Sequence, residues 1–254
     1  MKMNKPINKT GQIFNRFEAY ANPMRFMALA QHLHFWVWAA ALALLAWGFY
    51  QVAHVPPDYQ QGSLVRILFV HVPAAWMAMF IYSFICAASL IGLILHHPLA
   101  YLAARAAAPI GAVFTLIMLL TGALWGQPTW GVWWVWDARL TSALVLLFIY
   151  AGYMALWYAI EDDTQATKAT AILAIAGFIN IPIIKFSVDW WNTLHQPASI
   201  MRLSSPALDV AFLYPLLWVA AGFTLLFVAL LLTRMQTYIW QQKYKMQKLK
   251  QQWK

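Results

Sequence analysis

Apolar residues in this chain do not alternate with polar ones; they come in long runs that few charges interrupt. Reading between the charged residues gives six runs, at about 35 to 53, 67 to 95, 106 to 125, 140 to 160, 169 to 184 and 210 to 233. Runs on this scale suit helices crossing a hydrocarbon core about 30 Å thick, which takes about 20 residues. The lack of a two-residue period argues against a membrane barrel, because barrel strands alternate lipid-facing and lumen-facing residues. The pattern therefore predicts an all-α fold, a polytopic bundle of six transmembrane helices. The fifth run is short and ends near Pro182 and Lys185, whose long side chain can reach back to the interface.

Composition agrees with this pattern. Of 254 residues, 63% are hydrophobic, 16% aromatic and only 10% charged, which excludes a protein with an all-aqueous surface. The formal charge of +9 comes from 17 basic and 8 acidic residues, with most of the basic ones at the two ends. Basic ends flanking apolar spans suit an anionic lipid leaflet and argue against nucleic acid. An even number of spans puts both termini on one side. Lys2, Lys5, Lys9, Arg16, Arg25, Arg105, Lys168, Arg234, Lys243, Lys245, Lys248, Lys250 and Lys254 share that side, against Arg66, Arg139, Lys185 and Arg202 on the other. The excess of positive charge assigns both termini to the cytoplasm. Three parts are expected: a cytoplasmic N-terminal segment at 1–34, a membrane domain at 35–233 and a basic cytoplasmic tail at 234–254. The first span starts too deep in the chain for a cleaved signal and is expected to stay. The tail reads as a solvated basic segment, helical or disordered, in preference to a docking segment.

Several chemistries drop out. Cys86 is the single cysteine and sits in an apolar run, so there is no internal disulfide and no thiolate metal cluster. There is no CxxCH for covalent haem and no GxxxxGK[ST] for ATP. No catalytic residue is assigned, and any ATPase activity is expected in a separate subunit.

The unusual residues fall on the three non-cytoplasmic loops, at roughly 54–66, 126–139 and 185–209. The second, with its margins from Trp125 to Ser142, reads WGQPTWGVWWVWDARLTS and carries Trp125, Trp130, Trp133, Trp134 and Trp136. An interfacial aromatic belt accounts for one or two of these; five close together can also form a shelf for a flat, apolar, aromatic ligand. His71 lies about 7 Å into the second span by helical rise, and His195 lies in the third outer loop. Each imidazole can be a hydrogen-bonded structural group, but two of them on one side beside aromatic residues suit iron, and a pair on opposite faces of a porphyrin would make a six-coordinate haem. A structural zinc site fits less well, since it takes four ligands and the outside offers only His54, His71 and His195. His54 competes for an axial role and equally suits capping or packing. Arg66 and Arg139 border the same face and are candidate partners for haem propionates. Asp137 suits a helix cap ahead of Arg139, with direct ligand contact as the alternative.

Three segments together resemble a known family. WGVWWVWDARLTS, Trp130 to Ser142, resembles the signature of the tryptophan-rich WWD family of haem-handling membrane proteins, and FVHVPAAW, Phe69 to Trp76, and WWNTLHQPAS, Trp190 to Ser199, resemble its two flanking histidine segments. Length, span number and segment order resemble its CcmC branch, over about 30 to 235. The resemblance implies haem b held on the outer face against the WWD loop with His71 and His195 as axial ligands. It also implies presentation of that haem to the chaperone CcmE during c-type cytochrome biogenesis. The implied partners are the ATPase CcmA and the membrane subunits CcmB and CcmD, in an ABC-type complex of a bacterial inner membrane with the site facing the periplasm. Two other readings stay open: an electron-transferring cytochrome b subunit, for which His34 and His96 could supply an inner pair, and a permease that moves haem through the bundle.

Overall fold

The computed structural model describes residues 22–191, 193–195 and 208–252. The basic positions Lys2, Lys5, Lys9, Arg16, Arg202 and Lys254, and the stretch of the second histidine segment from 196 to 199, lie outside the described residues. Seven α-helices follow one another: α1 Pro23–Ala53, α2 Leu68–Leu95, α3 Pro98–Trp130, α4 Ala138–Ala159, α5 Asp163–Gly177, α6 Asn180–Trp190 and α7 Val210–Gln252. A short 3-10 helix, Ser63–Ile67, leads directly into α2. They make six segments long and apolar enough to cross a membrane, with α5 and α6 together forming the fifth. The predicted six-helix all-α membrane bundle is the fold observed.

Helix starts follow ordinary capping chemistry. Asn22, His97, Asp137 and Asp162 each accept a hydrogen bond from a backbone N–H of the first turn, and Pro23 and Pro98 stand at positions where a missing N–H costs nothing. The break in the fifth segment also has a local cause. Pro182 cannot donate to the carbonyl four residues back, at Phe178, and its ring crowds that carbonyl, so the helix interrupts between α5 and α6. The apolar run read from 169 to 184 is the middle of this longer broken segment.

Helices α2 and α3 pack against each other through the centre, α4 to α6 lie along one side, and α1 pairs with α7 on the other. Met24 and Met27 of α1 share a groove with Ile239 and Trp240 of α7, so the described chain starts and finishes at one end of the bundle. Phe35, Trp36, Leu42, Trp47, Leu120 and Phe148 are exposed around the bundle, where lipid would cover them. Inside, Tyr82 and Tyr150 meet edge to face at 5.2 Å, and the Tyr150 hydroxyl donates to the Ala78 carbonyl at 2.8 Å. That contact requires Gly111 on α3, because a Cβ there would overlap the Tyr150 hydroxyl and ring.

Gly111→Ala is expected to destabilise the bundle by about 1–3 kcal/mol, read as a lower thermal midpoint of the detergent-solubilised protein. An unchanged midpoint would show that Tyr150 is free to move aside.

Candidate functional site

The end of the bundle opposite the chain ends gathers most of the residues singled out by sequence. Trp125 and Trp130 lie on the last turns of α3 and not in a loop, because α3 continues through Pro128 and stops only at Gly131. Gly131 adopts φ 79°, the left-handed conformation that closes helices, and its N–H bonds to the Gln127 carbonyl at 2.9 Å. The connection to α4 is therefore just Gly131 to Asp137. It carries Trp133 and Trp136, 59% and 76% exposed, and Trp134, which is packed edge to face on Trp136 at 5.5 Å. The Trp134 Nε1 atom is buried with no hydrogen-bond partner among the described residues.

His71 stands on the first turns of α2 and reaches α3. Its Nδ1 lies 3.1 Å from Thr121 Oγ1, and the Thr121 hydroxyl donates its own proton to the Ile117 carbonyl at 2.6 Å. Thr121 can therefore only accept, which places the proton of a neutral His71 on Nδ1 and leaves the Nε2 lone pair uncommitted. Gly122 makes room for the ring, since a Cβ there would come within 3.0 Å of His71 Cε1. The Trp125 ring meets His71 edge to face at 5.7 Å, and its Nε1 donates to Gln61 Oε1 at 2.9 Å, tying α3 to the turn before the 3-10 helix.

His195 is held differently but ends in the same state. Asp137 splits its carboxylate: Oδ1 accepts from the Leu140 N–H at 2.7 Å and caps α4, while Oδ2 accepts from the Thr193 hydroxyl. With its proton committed to Asp137, Thr193 Oγ1 accepts from the His195 N–H at 3.1 Å and lies 3.3 Å from His195 Nδ1. Asp137 Oδ2 itself is 3.5 Å from that Nδ1. Both neighbours are acceptors, so the His195 proton also sits on Nδ1, and Nε2 is again uncommitted. Burial pushes the His195 imidazole below its ordinary range; Asp137 opposes that shift and Arg139 adds to it, so the ring is neutral at neutral pH. Trp130 packs edge to face on His195 at 4.9 Å.

The arginines fare unequally. Arg139 sends Nε to Ser187 Oγ at 3.3 Å and Nη2 to the Ile184 and Lys185 carbonyls at 3.4 and 3.3 Å, which clamps α4 to α6 beside Asp137. Arg66 is exposed and donates to the Ala53 carbonyl at the end of α1, at 3.3 Å. It has no bond to either histidine or to Asp137 among the described residues. His54 is also at this end: its Nδ1 faces the Tyr50 carbonyl at 2.8 Å and its ring packs on Tyr50. It lies on the α1–α7 side, with Val210 and Tyr214, away from the tryptophan turn. At the far end, His34 binds the Thr233 hydroxyl at 3.0 Å, while His96 ends α2 exposed, and no contact joins the two. Among the described residues no group of three or more His, Cys, Asp or Glu could hold a bare metal ion. What the site offers is two neutral imidazoles with open Nε2 atoms, among tryptophan rings.

The profile of the family described as heme exporter protein C matches residues 16–250. The chain belongs to the heme exporter protein C (CcmC) family. It is 57% identical over 219 residues to a heme exporter protein C of Bradyrhizobium diazoefficiens, covering 86% of this chain and 83% of that one. It is 48% identical over 225 residues to that of Paracoccus denitrificans, covering 87% and 92%, and 50% identical over 208 residues to that of Escherichia coli K12, covering 80% and 82%. The family's match spans the whole bundle, both histidines and the tryptophan turn included.

Thr121, Thr193, Gln61 and Gly122 were not singled out by sequence. Thr193, two residues before His195, carried a local signal; the other three touch the site only through folding. A testable consequence concerns the tautomers. Nitrogen NMR of histidine-labelled protein is expected to show His71 and His195 protonated at Nδ1, with Thr121→Val shifting the His71 signal and leaving His195 unchanged.

Proposed function

We propose that this protein binds haem at the His71 end of the bundle and presents it to the chaperone CcmE, as one subunit of a haem exporter complex. Membership of the CcmC family carries a haem-handling role, in a protein with six membrane-spanning helices. The finer reading makes His71 and His195 the axial ligands of haem b. The observation that supports it is the pairing of two neutral imidazoles, each with Nδ1 engaged by a threonine hydroxyl and Nε2 open. This is the state a metal-bound histidine needs, and a carboxylate behind it raises its basicity. When bound, haem supplies an iron that takes one lone pair from each ring.

The remaining residues divide the work. Trp125 and Trp130 orient the imidazoles edge to face; exposed Trp133 and Trp136 supply apolar cover for a porphyrin. Trp134 brings an Nε1–H that lacks a partner among the described residues. Asp137 acts through Thr193 on His195 and not on haem directly. Arg139 stays committed to α6 through Nε and Nη2, so its contact with a propionate would fall to Nη1. Arg66, at the rim, would reach a propionate only by leaving the Ala53 carbonyl. His71 rides on a packed helix and His195 on a connection, so hand-over begins by loosening His195. Following the distribution of Lys and Arg, this end faces the periplasm of a bacterial inner membrane. CcmA supplies ATP hydrolysis, with CcmB and CcmD as membrane partners.

His71→Ala and His195→Ala are each expected to abolish the low-spin bis-imidazole spectrum of bound haem and to stop transfer to the chaperone, while His54→Ala keeps both. Thr193→Val is expected to lower haem affinity about 10-fold or more, read by titration. A bis-imidazole spectrum surviving either ligand substitution would overturn the assignment.

A further inference from the structure

The end of the bundle remote from His71 and His195 holds two arginines that the haem site does not use. Arg105 of α3 lies between two aromatic rings, its guanidinium carbon 4.2 Å from the Trp157 centroid on α4 and 4.9 Å from the Tyr238 centroid on α7. Arg234 approaches the same Tyr238 ring at 5.6 Å, donates through Nη2 to its hydroxyl at 3.0 Å, and donates through Nε to the Ala106 carbonyl at 3.0 Å. Three spans thus bring two cations onto one tyrosine.

Nothing in the described protein neutralises them. Neither arginine forms an ion pair with a carboxylate among the described residues. Glu161, Asp162 and Asp163, in and beside the turn after α4, form no ion pair with either arginine. Arg105 makes no hydrogen bond to any described residue, although stacking fixes the plane of its five donors. A part-buried guanidinium with a set orientation and unused donors is suited to a planar or bidentate anion. Two like charges held together with no carboxylate between them favour an anion from outside the chain.

Depth decides which anion. Arg105 and Trp125 are 20 residues apart on α3, about 30 Å by helical rise, which equals the thickness of a hydrocarbon core. With Trp125 at one interface, Arg105 stands at headgroup depth at the other. Between Arg105 and Trp125, toward the membrane centre, α3 exposes Val113, Leu116 and Leu120 where lipid would cover them. A phosphate with acyl chains attached matches both the cationic top and the oily flank.

We propose that Arg105 and Arg234 form a binding site for the phosphodiester headgroup of one anionic phospholipid, which joins α3, α4 and α7 at this end. The test uses the full chain, purified in detergent, stripped of lipid by exchange and offered phosphatidylglycerol, phosphatidylcholine or inorganic phosphate, with lipid retained per protein read by mass spectrometry. Wild-type protein is expected to retain phosphatidylglycerol in preference to phosphatidylcholine, and millimolar phosphate should not displace it. Arg105→Gln is expected to retain about tenfold less, Arg105→Lys an intermediate amount, and Lys245→Gln as much as wild type. The wild-type competition needs no variant, so a poorly folding Arg105→Gln would leave the proposal open to refutation. Equal retention of both lipids, displacement by phosphate, or full retention by a folded Arg105→Gln would overturn it.

Discussion

Asp137 binds two parts of the molecule that are 56 residues apart in sequence. One carboxylate oxygen starts α4; the other holds the Thr193 hydroxyl and, through it, the connection that carries His195. A single side chain thereby fixes where the helix begins and which nitrogen of His195 bears the proton. Asparagine could cap the helix nearly as well. Its amide would put an N–H or a weaker oxygen where Thr193 needs a carboxylate, so the cap alone does not account for an aspartate here.

The two imidazoles reach equivalent states by unlike means. His71 depends on a helix-borne threonine whose hydroxyl is already spent on its own backbone, a geometry that packing of α2 on α3 supplies. His195 depends on a local turn and a distant acid. Neutrality of His195 follows from burial beside Arg139, against the pull of Asp137.

Six spans were legible because charge is so rare inside them, but the fifth read as short, ending near Pro182 and Lys185, whereas it runs from Asp163 to Trp190. Its true form, two helices with a break ahead of that proline, was not legible, since an apolar run looks alike whether it is one helix or two. Helix ends were hardest to read. Trp130 reads as a loop residue, because Gly126 and Pro128 usually mark a loop, yet Pro128 merely gives up one hydrogen bond near the end of α3, where Gly131 finishes it. The α1 helix likewise starts at Pro23, well ahead of its apolar run, because Asn22 caps it and α7 lies alongside. Histidine and tryptophan announced the site by type and crowding; Thr121 and Gln61 are common residues whose part depends on a neighbour 50 or more positions away.

Helix α7 runs unbroken for 43 residues, about 65 Å at 1.5 Å each. A bilayer with its headgroups takes up about 40–45 Å, so some 20 Å of rod stands clear of the leaflet. It ends as a stiff mast bearing Lys243, Lys245, Lys248 and Lys250, and because no joint separates mast from span, a sideways push on its tip tilts the whole strut inside the membrane.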